Sequence, residues 1–450
     1  MRSSVLLSAC VAVACAGSAA AFAPLLSPAP RLLRAAPAVC AAKATPADGW
    51  KPAAILANSL LAASLILSPV LTVFNGPDAS FGGAAHAQGA TSSKLTAGAP
   101  SADANKDPES ILRLSLPINE KSPIREAANE IELKMDKALR EIRAEKWGKI
   151  GGMAAKSKNI ITNKQKDILK DIPAARQEQA VALFAEAGKE LDTLRETIVE
   201  QKVEKVYEQK RLAARAIGNI EQLMVKEFPY QVPAEYANLP RLEGRAEVEM
   251  VIKKADPLAK FDVDGTVYDK VVLKMVLDGY TAPITSGRFL NLVEKGFYNN
   301  MIVQRSDGFV IQTGDPNFEQ EDLPHGDVDA KGEVKTIPLE VYAEEDVMPT
   351  YGVTLEDDGR PLSQPKLPFS VYGTLAMARS EDNANDASSQ FFFLLFDPEL
   401  TTAGRNLMDG RFATFGYVVD GGRLLSNVEQ GDTIISATIT AGKDHLVNGK

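Results

Sequence analysis

Residues 297–315 read FYNNMIVQRSDGFVIQTGD, and the fold follows from that stretch. Met301, Ile302 and Val303 are apolar and strand-prone. Ser306, Asp307 and Gly308 have the chemistry of a tight turn. Phe309, Val310 and Ile311 resume the β-prone run, and Thr313, Gly314, Asp315 and Pro316 end it. The stretch is expected to be a hairpin that gathers Arg305, Phe309 and Gln312. A fixed cation, an aromatic face and an amide on adjoining strands make a binding surface. The plainer reading of the same residues is a surface arginine and an ordinary core phenylalanine.

Three later blocks extend the pattern: GTLAMA at 373–378, SSQFFF at 388–393 and DGRFATFG at 409–416. Taken with the first stretch, their order and spacing resemble the cyclophilin family of peptidyl-prolyl cis-trans isomerases. The resemblance covers residues 245–442, under half of the chain. It is nearest to the large multidomain thylakoid-lumen branch, which carries a helical N-terminal domain and shares the shortened QRSDGF turn. It implies a multidomain protein: an N-terminal all-α helical bundle, then a closed eight-stranded antiparallel β-barrel with capping helices.

The resemblance also assigns the site. Arg305 is the catalytic donor, Phe309 and Phe392 floor a proline socket, and Gln312 orients Arg305 and holds the peptide backbone. Gln390 and Ala378 line the peptide groove. This chain departs from the family at four groove positions. Val310 replaces the socket methionine, Leu407 a tryptophan that many members carry, Phe412 the socket histidine and Arg379 a groove asparagine. The chemistry needs no cofactor and no metal. Rotation about an X-Pro bond meets a barrier of about 18–20 kcal/mol. A catalyst must hold the ring and donate to the twisted amide. The implied function is a prolyl isomerase acting as a folding and assembly factor in the thylakoid lumen, for photosystem II assembly and maintenance, with activity low or autoinhibited by the helical domain. The alternative is a peptide-binding chaperone or scaffold that uses the altered groove without turnover. The implied partners are proline-containing lumenal segments of photosystem II subunits.

Composition narrows the field independently. The chain has 450 residues and a formal net charge of −9, which argues against nucleic acid as a partner. The charge is uneven: residues 121–226 are mildly basic, and residues 247–450 carry an excess of about fifteen negative charges. All three cysteines, Cys10, Cys15 and Cys40, lie near the start, and the histidines are His86, His325 and His445. A Cys/His zinc site or a Ser-His-Asp triad does not fit that inventory.

Residues 1–21 have a basic start, an apolar run and small residues at the end, the three parts of a signal peptide. Phe22 follows, and residues 22–51 resemble the plastid transit segment of algae with complex plastids; plain secretion is the alternative. Residues 52–74 form a second apolar run after Lys51, broken by Pro69 and followed by Ala85-His86-Ala87. Residues 52–87 are read as a thylakoid-lumen signal, with a permanent anchor as runner-up. Cleavage near Gln88 leaves no membrane anchor in the mature form.

Residues 88–120 read as a disordered linker. Residues 121–228 read as the helical domain, capped at its start by Ser122 and Pro123. Ile124, Ala128, Ile131, Met135, Ala138 and Ile142 mark one face, to about residue 146. Gly148, Gly151 and Gly152 are expected to interrupt it, before a second helix at 153–170. A long third segment runs from Pro173 to Val225 with a break expected at Gly218. Its near-heptad repeat can be buried within the same chain, giving a monomer, or in a zipper dimer. Residues 229–244 form a Pro-rich linker. In the β domain, 246–252 and 271–277 are strands, and 284–296 is a helix with Thr285 as candidate cap. The acidic loop 316–368 reads as solvated charge, and its spacing matches no EF-hand. Residues 443–450 are a tail.

Overall fold

The computed structural model describes residues 107–141, 146–263, 265–395 and 406–449. The readings of 1–106, which include all three targeting segments, lie outside the described residues.

Part of the expected linker is ordered. Helix α1 (Pro108–Leu114) begins at Asp107, whose carboxylate accepts the Glu109 N–H at 3.3 Å and the Ser110 hydroxyl at 3.1 Å. Pro108 takes the first helical position, where no N–H is needed. Ile111, Leu112 and Arg113 are buried, so polar composition upstream concealed a docked strap. Helix α2 (Pro123–Asn129) starts where Ser122 and Pro123 predict, but the Ser122 hydroxyl makes no capping bond and proline alone sets the start. A π turn (Glu130–Lys134) leads into α3 (Met135–Arg140). Ile124, Ala128, Ile131, Met135 and Ala138 are all buried, as their spacing predicts.

Two helix boundaries are corrected. Gly148, Gly151 and Gly152 lie inside α4 (Trp147–Asn163), and a break at Lys164 separates it from α5 (Gln165–Asp171). Each glycine costs about 1 kcal/mol of propensity, but Ile150, Ala154, Ile160 and Ile161 on the same helix are buried and outweigh it. The long third segment is two helices, α6 (Gln177–Val199) and α7 (Val203–Met224). The chain reverses at Gln201, which has φ 55°, while Gly218 sits within α7. Val199 is therefore exposed, and the repeat of Ala180, Ala187, Leu191, Leu194 and Ile198 packs against Ala213, Ile217 and Ile220 of the same chain.

Arg113 ties this bundle to the strap. Its side chain is 1% exposed and contacts the Glu132 carboxylate at 2.5 Å and Glu221 at 3.4 Å. Arg125 shares Glu221 at 3.4 Å and donates to the Arg113 carbonyl at 2.7 Å. The strap then meets the β domain: Ser115 donates to Asp278 at 2.6 Å, and Arg245 donates to both Asp278 (2.8 Å) and the Leu112 carbonyl.

The β domain contains β1 (Arg241–Leu242), β2 (Arg245–Lys253), β3 (Phe261–Val263), β4 (Thr266–Tyr268), β5 (Val271–Asp278), β6 (Met301–Ile302), β7 (Arg305–Ser306) and β8 (Val310–Thr313). It continues with β9 (Glu340–Val341), β10 (Thr350–Tyr351), β11 (Thr374–Met377), β12 (Phe391–Leu394), β13 (Thr414–Asp420), β14 (Thr433–Ala441) and β15 (Leu446–Val447). The main sheet runs β6-β14-β2-β5-β13-β11-β12-β8-β7 and is antiparallel throughout. The expected closed eight-stranded barrel is corrected to an open, half-barrel sheet of nine strands. Its two margins are consecutive in the chain. Val303 donates to the Asp432 carbonyl at 2.8 Å, and Gln304 donates to the Gln312 carbonyl at 3.0 Å. The segment changes partners there, which splits one run into β6 and β7 and leaves the ladder open between them. The linker and tail also pair, Arg241 with Val447 and Leu242 with Leu446, so both termini of the β domain are anchored.

Helix α8 (Pro283–Glu294) packs inside the curved sheet, where Phe289 stands 4.9–5.1 Å from the rings of Tyr298, Phe391 and Phe415. Thr285 is not its cap: Pro283 opens the helix. Glu340 holds the helix start by accepting from Ile284 N–H (3.2 Å), Thr285 N–H (2.9 Å) and the Thr285 hydroxyl (2.9 Å). In the acidic loop, Arg360 gathers Asp346 (2.6 Å) and Asp358 (2.7 Å).

Two predictions follow from these buried charges. Replacing Arg113 by Met leaves Glu132 without a guanidinium and Glu221 with Arg125 alone. The expected loss is about 3–5 kcal/mol, read from urea unfolding of the described domains. Burial pushes the Glu340 carboxyl up to about 7 despite its hydrogen bonds. Folding therefore favours its protonated form. Its contribution is fully present below the unfolded pKa of 4.5 and is lost as pH rises through about 7. At 1.36 kcal/mol per unit the swing is on the order of 3 kcal/mol. Glu340→Gln should flatten the stability profile between pH 4.5 and 7; an unchanged slope contradicts the assignment.

Candidate functional site

Strand register builds the site. Arg305 of β7 faces Gln312 of β8, Gln312 faces Phe392 of β12, and Phe392 faces Ala376 of β11. Directly opposed residues in antiparallel strands share a face. One row therefore carries a guanidinium, an amide, a phenyl ring and a small residue in that order. The alternate residues Ile311 and Thr313 are buried on the other face. The hairpin anticipated from residues 297–315 thus has its turn at Asp307 and Gly308, as the residue types predict.

Beside that row lies an apolar socket. Phe392, Phe369, Ala376 and Leu394 are buried, and Val310, Ala378, Met408 and Phe412 pack around them, partly exposed. Phe392 stacks on Phe369 at 6.0 Å and 8°, and Phe412 stands edge-on to Phe392 at 5.6 Å. Phe369, Ala376, Leu394 and Met408 were missed by the sequence reading. Met408 adjoins the quoted DGRFATFG block and was within reach. Phe369 comes from the long loop and carried no local signal.

One expected contact is replaced. Phe309, expected on the socket floor, is 59% exposed. It precedes β8, whose alternation turns Val310 and Gln312 to the site face; its own carbonyl accepts the Leu395 N–H at 2.7 Å. Gln312 does not hold Arg305. Its amide donates to Gln390 at 2.9 Å, and Gln390 also accepts from Gln304 at 2.8 Å. Arg305 is taken by Asp307 instead, through Nε at 2.7 Å and Nη2 at 2.5 Å on the same carboxylate oxygen. A carboxylate two residues away outcompetes a neutral amide for a guanidinium. The other Asp307 oxygen accepts the Phe309 and Val310 N–H groups, both at 3.0 Å, so the carboxylate is locked into the turn. Partial burial works against its ionisation, but those amides and Arg305 outweigh it and hold its pKa below the usual range. The signal was in the sequence, as an acid two residues from the arginine.

Leu407 is 63% exposed. Arg379 lies over the Phe412 ring at 5.1 Å. The helical domain meets the β domain elsewhere. Its apolar contacts run from Ile111 and Leu112 to Leu367, Val371, Tyr417 and Val419, and Arg211 donates to the Val419 carbonyl at 2.9 Å. None of those contact residues is a predicted site residue, and Arg305 keeps a half-exposed side chain.

The arrangement can hold a small apolar ring beside a guanidinium with N–H groups to spare. Nε and one N–H of Nη2 serve Asp307, which leaves three of the five donors. No nucleophile is required of it.

Comparison with known proteins matches this picture. The family profile of cyclophilin type peptidyl-prolyl cis-trans isomerases matches residues 263–442. A second profile, the PsbQ-like domain of CYP38-like peptidyl-prolyl cis-trans isomerases, matches residues 107–225. A Synechocystis sp. protein named as a thylakoid lumen peptidyl-prolyl cis-trans isomerase, sll0408, is 40% identical over 345 residues, covering 76% of this chain and 84% of its own. The chloroplastic peptidyl-prolyl cis-trans isomerase CYP38 of Arabidopsis thaliana is 36% identical over 344 residues, 76% of each chain. The Arabidopsis chloroplastic isomerase CYP37 is 31% identical over 345 residues, 75% of this chain and 70% of its own. Helical domain, register-built socket and relatives agree: this chain belongs to the cyclophilin-type peptidyl-prolyl cis-trans isomerases, in the group that joins a PsbQ-like helical domain to the isomerase domain.

Proposed function

We propose that the protein is a prolyl isomerase of the thylakoid lumen in a complex plastid, a folding and assembly factor for proline-containing lumenal segments of photosystem II subunits, with low intrinsic turnover. The observation that carries the reading is the row of Arg305, Gln312 and Phe392 beside the socket of Phe369, Phe392, Met408 and Phe412. The proline ring sits on Phe392. As the amide twists, its nitrogen gains a lone pair, and a remaining Arg305 N–H donates to it. The donor binds the twisted state better than the planar one, which is what lowers a barrier. Gln312, fixed by Gln390, meets the peptide backbone. The lumenal location is supported by the name of the Synechocystis relative, and the plastid by that of the Arabidopsis one. The photosystem II clients are supported by the resemblance to that branch and by the PsbQ-like helical profile. Burial of the helical seam within one chain supports a monomer.

Low turnover is assigned to the Arg305–Asp307 pair, which offsets the cation where charge must act. The helices dock by way of Tyr417 and Val419, so cover by the helical domain is not needed to explain it. A second reading rests on the same ion pair: a groove that holds proline peptides and does not turn them over. Isomerisation of a proline peptide by the mature chain decides. Arg305→Ala should lower kcat/KM by roughly 10²-fold. Asp307→Asn should raise kcat severalfold by freeing the guanidinium. Isomerisation no faster than the uncatalysed rate by both wild type and Arg305→Ala, with peptide binding intact, would establish the scaffold reading.

A further inference from the structure

Three guanidiniums surround the groove, and two carry their own carboxylates. Arg305 is held by Asp307, and Arg411 by Glu356. Arg379 differs. Its Nε donates to the Arg411 carbonyl at 2.9 Å, and Nη1 donates to the carbonyls of Ser380 (2.6 Å) and Glu381 (3.3 Å). Its guanidinium carbon lies over the Phe412 ring, 5.1 Å from the centroid. Among the described residues it forms no ion pair. Of the acids whose charge reaches it, Asp386 accepts from Ser380 and Asp357 from Thr354 at 2.7 Å, while Glu381 contacts it through the backbone carbonyl. Three carbonyls and an aromatic face therefore fix the guanidinium in place, with both N–H groups of Nη2 unspent. Carbonyls orient a guanidinium but do not neutralise it. Such a preorganised cation loses little entropy when an anion arrives, and a carboxylate is the ligand its fork matches.

Phe412 is also a wall of the proline socket and touches Phe392 edge-on at 5.6 Å. The charge therefore lies about three extended residues from a proline seated on Phe392. A bound peptide passes within reach of it, whereas free carboxylates in solution meet a domain of net negative charge that repels them.

We propose that Arg379 is a specificity-determining residue that pairs with a Glu or Asp side chain carried by the client within about three residues of its proline, so that acidic proline segments are the preferred substrate class. This rests on the peptide-groove reading above. It goes further by naming what flanks the proline.

The test uses the mature chain and short fluorescent peptides with one proline. Glu is placed at each of three positions on either side of the proline in turn, each matched by a Gln peptide. Affinity is read by anisotropy. At one position or more, Glu should bind about five- to tenfold tighter than Gln, as a charge-assisted bond allows, and 0.5 M salt should shrink that gain. Arg379→Gln should abolish the gain, and Arg379→Glu should transfer it to Lys peptides; thermal unfolding of both variants checks that they fold. Equal affinity for Glu and Gln peptides at every position, or a Glu preference that survives in Arg379→Gln, overturns the proposal while leaving the proline groove standing. If no proline peptide binds at all, the groove reading itself fails.

Discussion

The pairing of β8 with β12 is the constraint on which the site depends. Side chains alternate faces with a period of two, so a slip of one residue would send Ile311 and Phe391 to the groove and draw Gln312 and Phe392 inside. The register is pinned at one end by close backbone approach. Gly314 has φ 104°, and a Cβ there would lie 2.3 Å from the Ser389 carbonyl oxygen. Ser389 in turn donates its hydroxyl to the Gly314 carbonyl at 2.7 Å. Behind the pair, Phe391 and Phe393 fill the interior around Phe289, so slippage would also empty the core. The groove and the core are therefore two faces of one alignment.

A second link joins the helical domain to the same place. Between Leu367 and Val371 the chain alternates sides. Leu367 and Val371 pack with Ile111 and Leu112 of the strap, and Phe369 between them turns into the socket against Phe392. Phe369 is held at both backbone ends, its N–H by Asp409 at 2.8 Å and its carbonyl by Asn406 at 3.2 Å. The Tyr417 hydroxyl donates to the preceding Pro368 carbonyl at 2.8 Å. The helices thus stay out of the groove yet brace one residue of its floor from behind.

Arginine does different work in each setting. Arg113 is buried and shares two carboxylates, which makes it indispensable once present, because either partner left alone would be a desolvated charge. Arg245 is also buried, and it spans Asp278 and the strap backbone. Arg305, half-exposed, is restrained by a neighbour in its own turn. The planar fork suits all three roles, and local burial decides which one a given arginine plays.

How much of this was legible in the residues varies by element. Local periodicity announced α2, α8 and the strands β2 and β5, because each buries one face of a regular repeat. The turn at Asp307 and Gly308 was equally plain. The glycines of α4 misled, since helix propensity is a weak prior beside the burial of Ile150, Ala154 and Ile161. The strap was hidden because seven residues are too few to show a period, and its stability comes from a neighbour that sequence does not place.

By itself, then, the amino-acid order determined which residue types were available: an arginine, two phenylalanines and two glutamines in blocks that a strand reading could bring near each other. It also determined a helical domain and a β domain of opposite charge balance. Only tertiary structure decided that Asp307 rather than Gln312 takes the guanidinium, that Phe369 from the long loop stacks on Phe392, and that the sheet stays open where one strand changes partners. Those outcomes are competitions between groups distant in sequence or nearly equal in local preference. Distance, burial and hydrogen-bond geometry settle such contests, and none of these is a property of a single position.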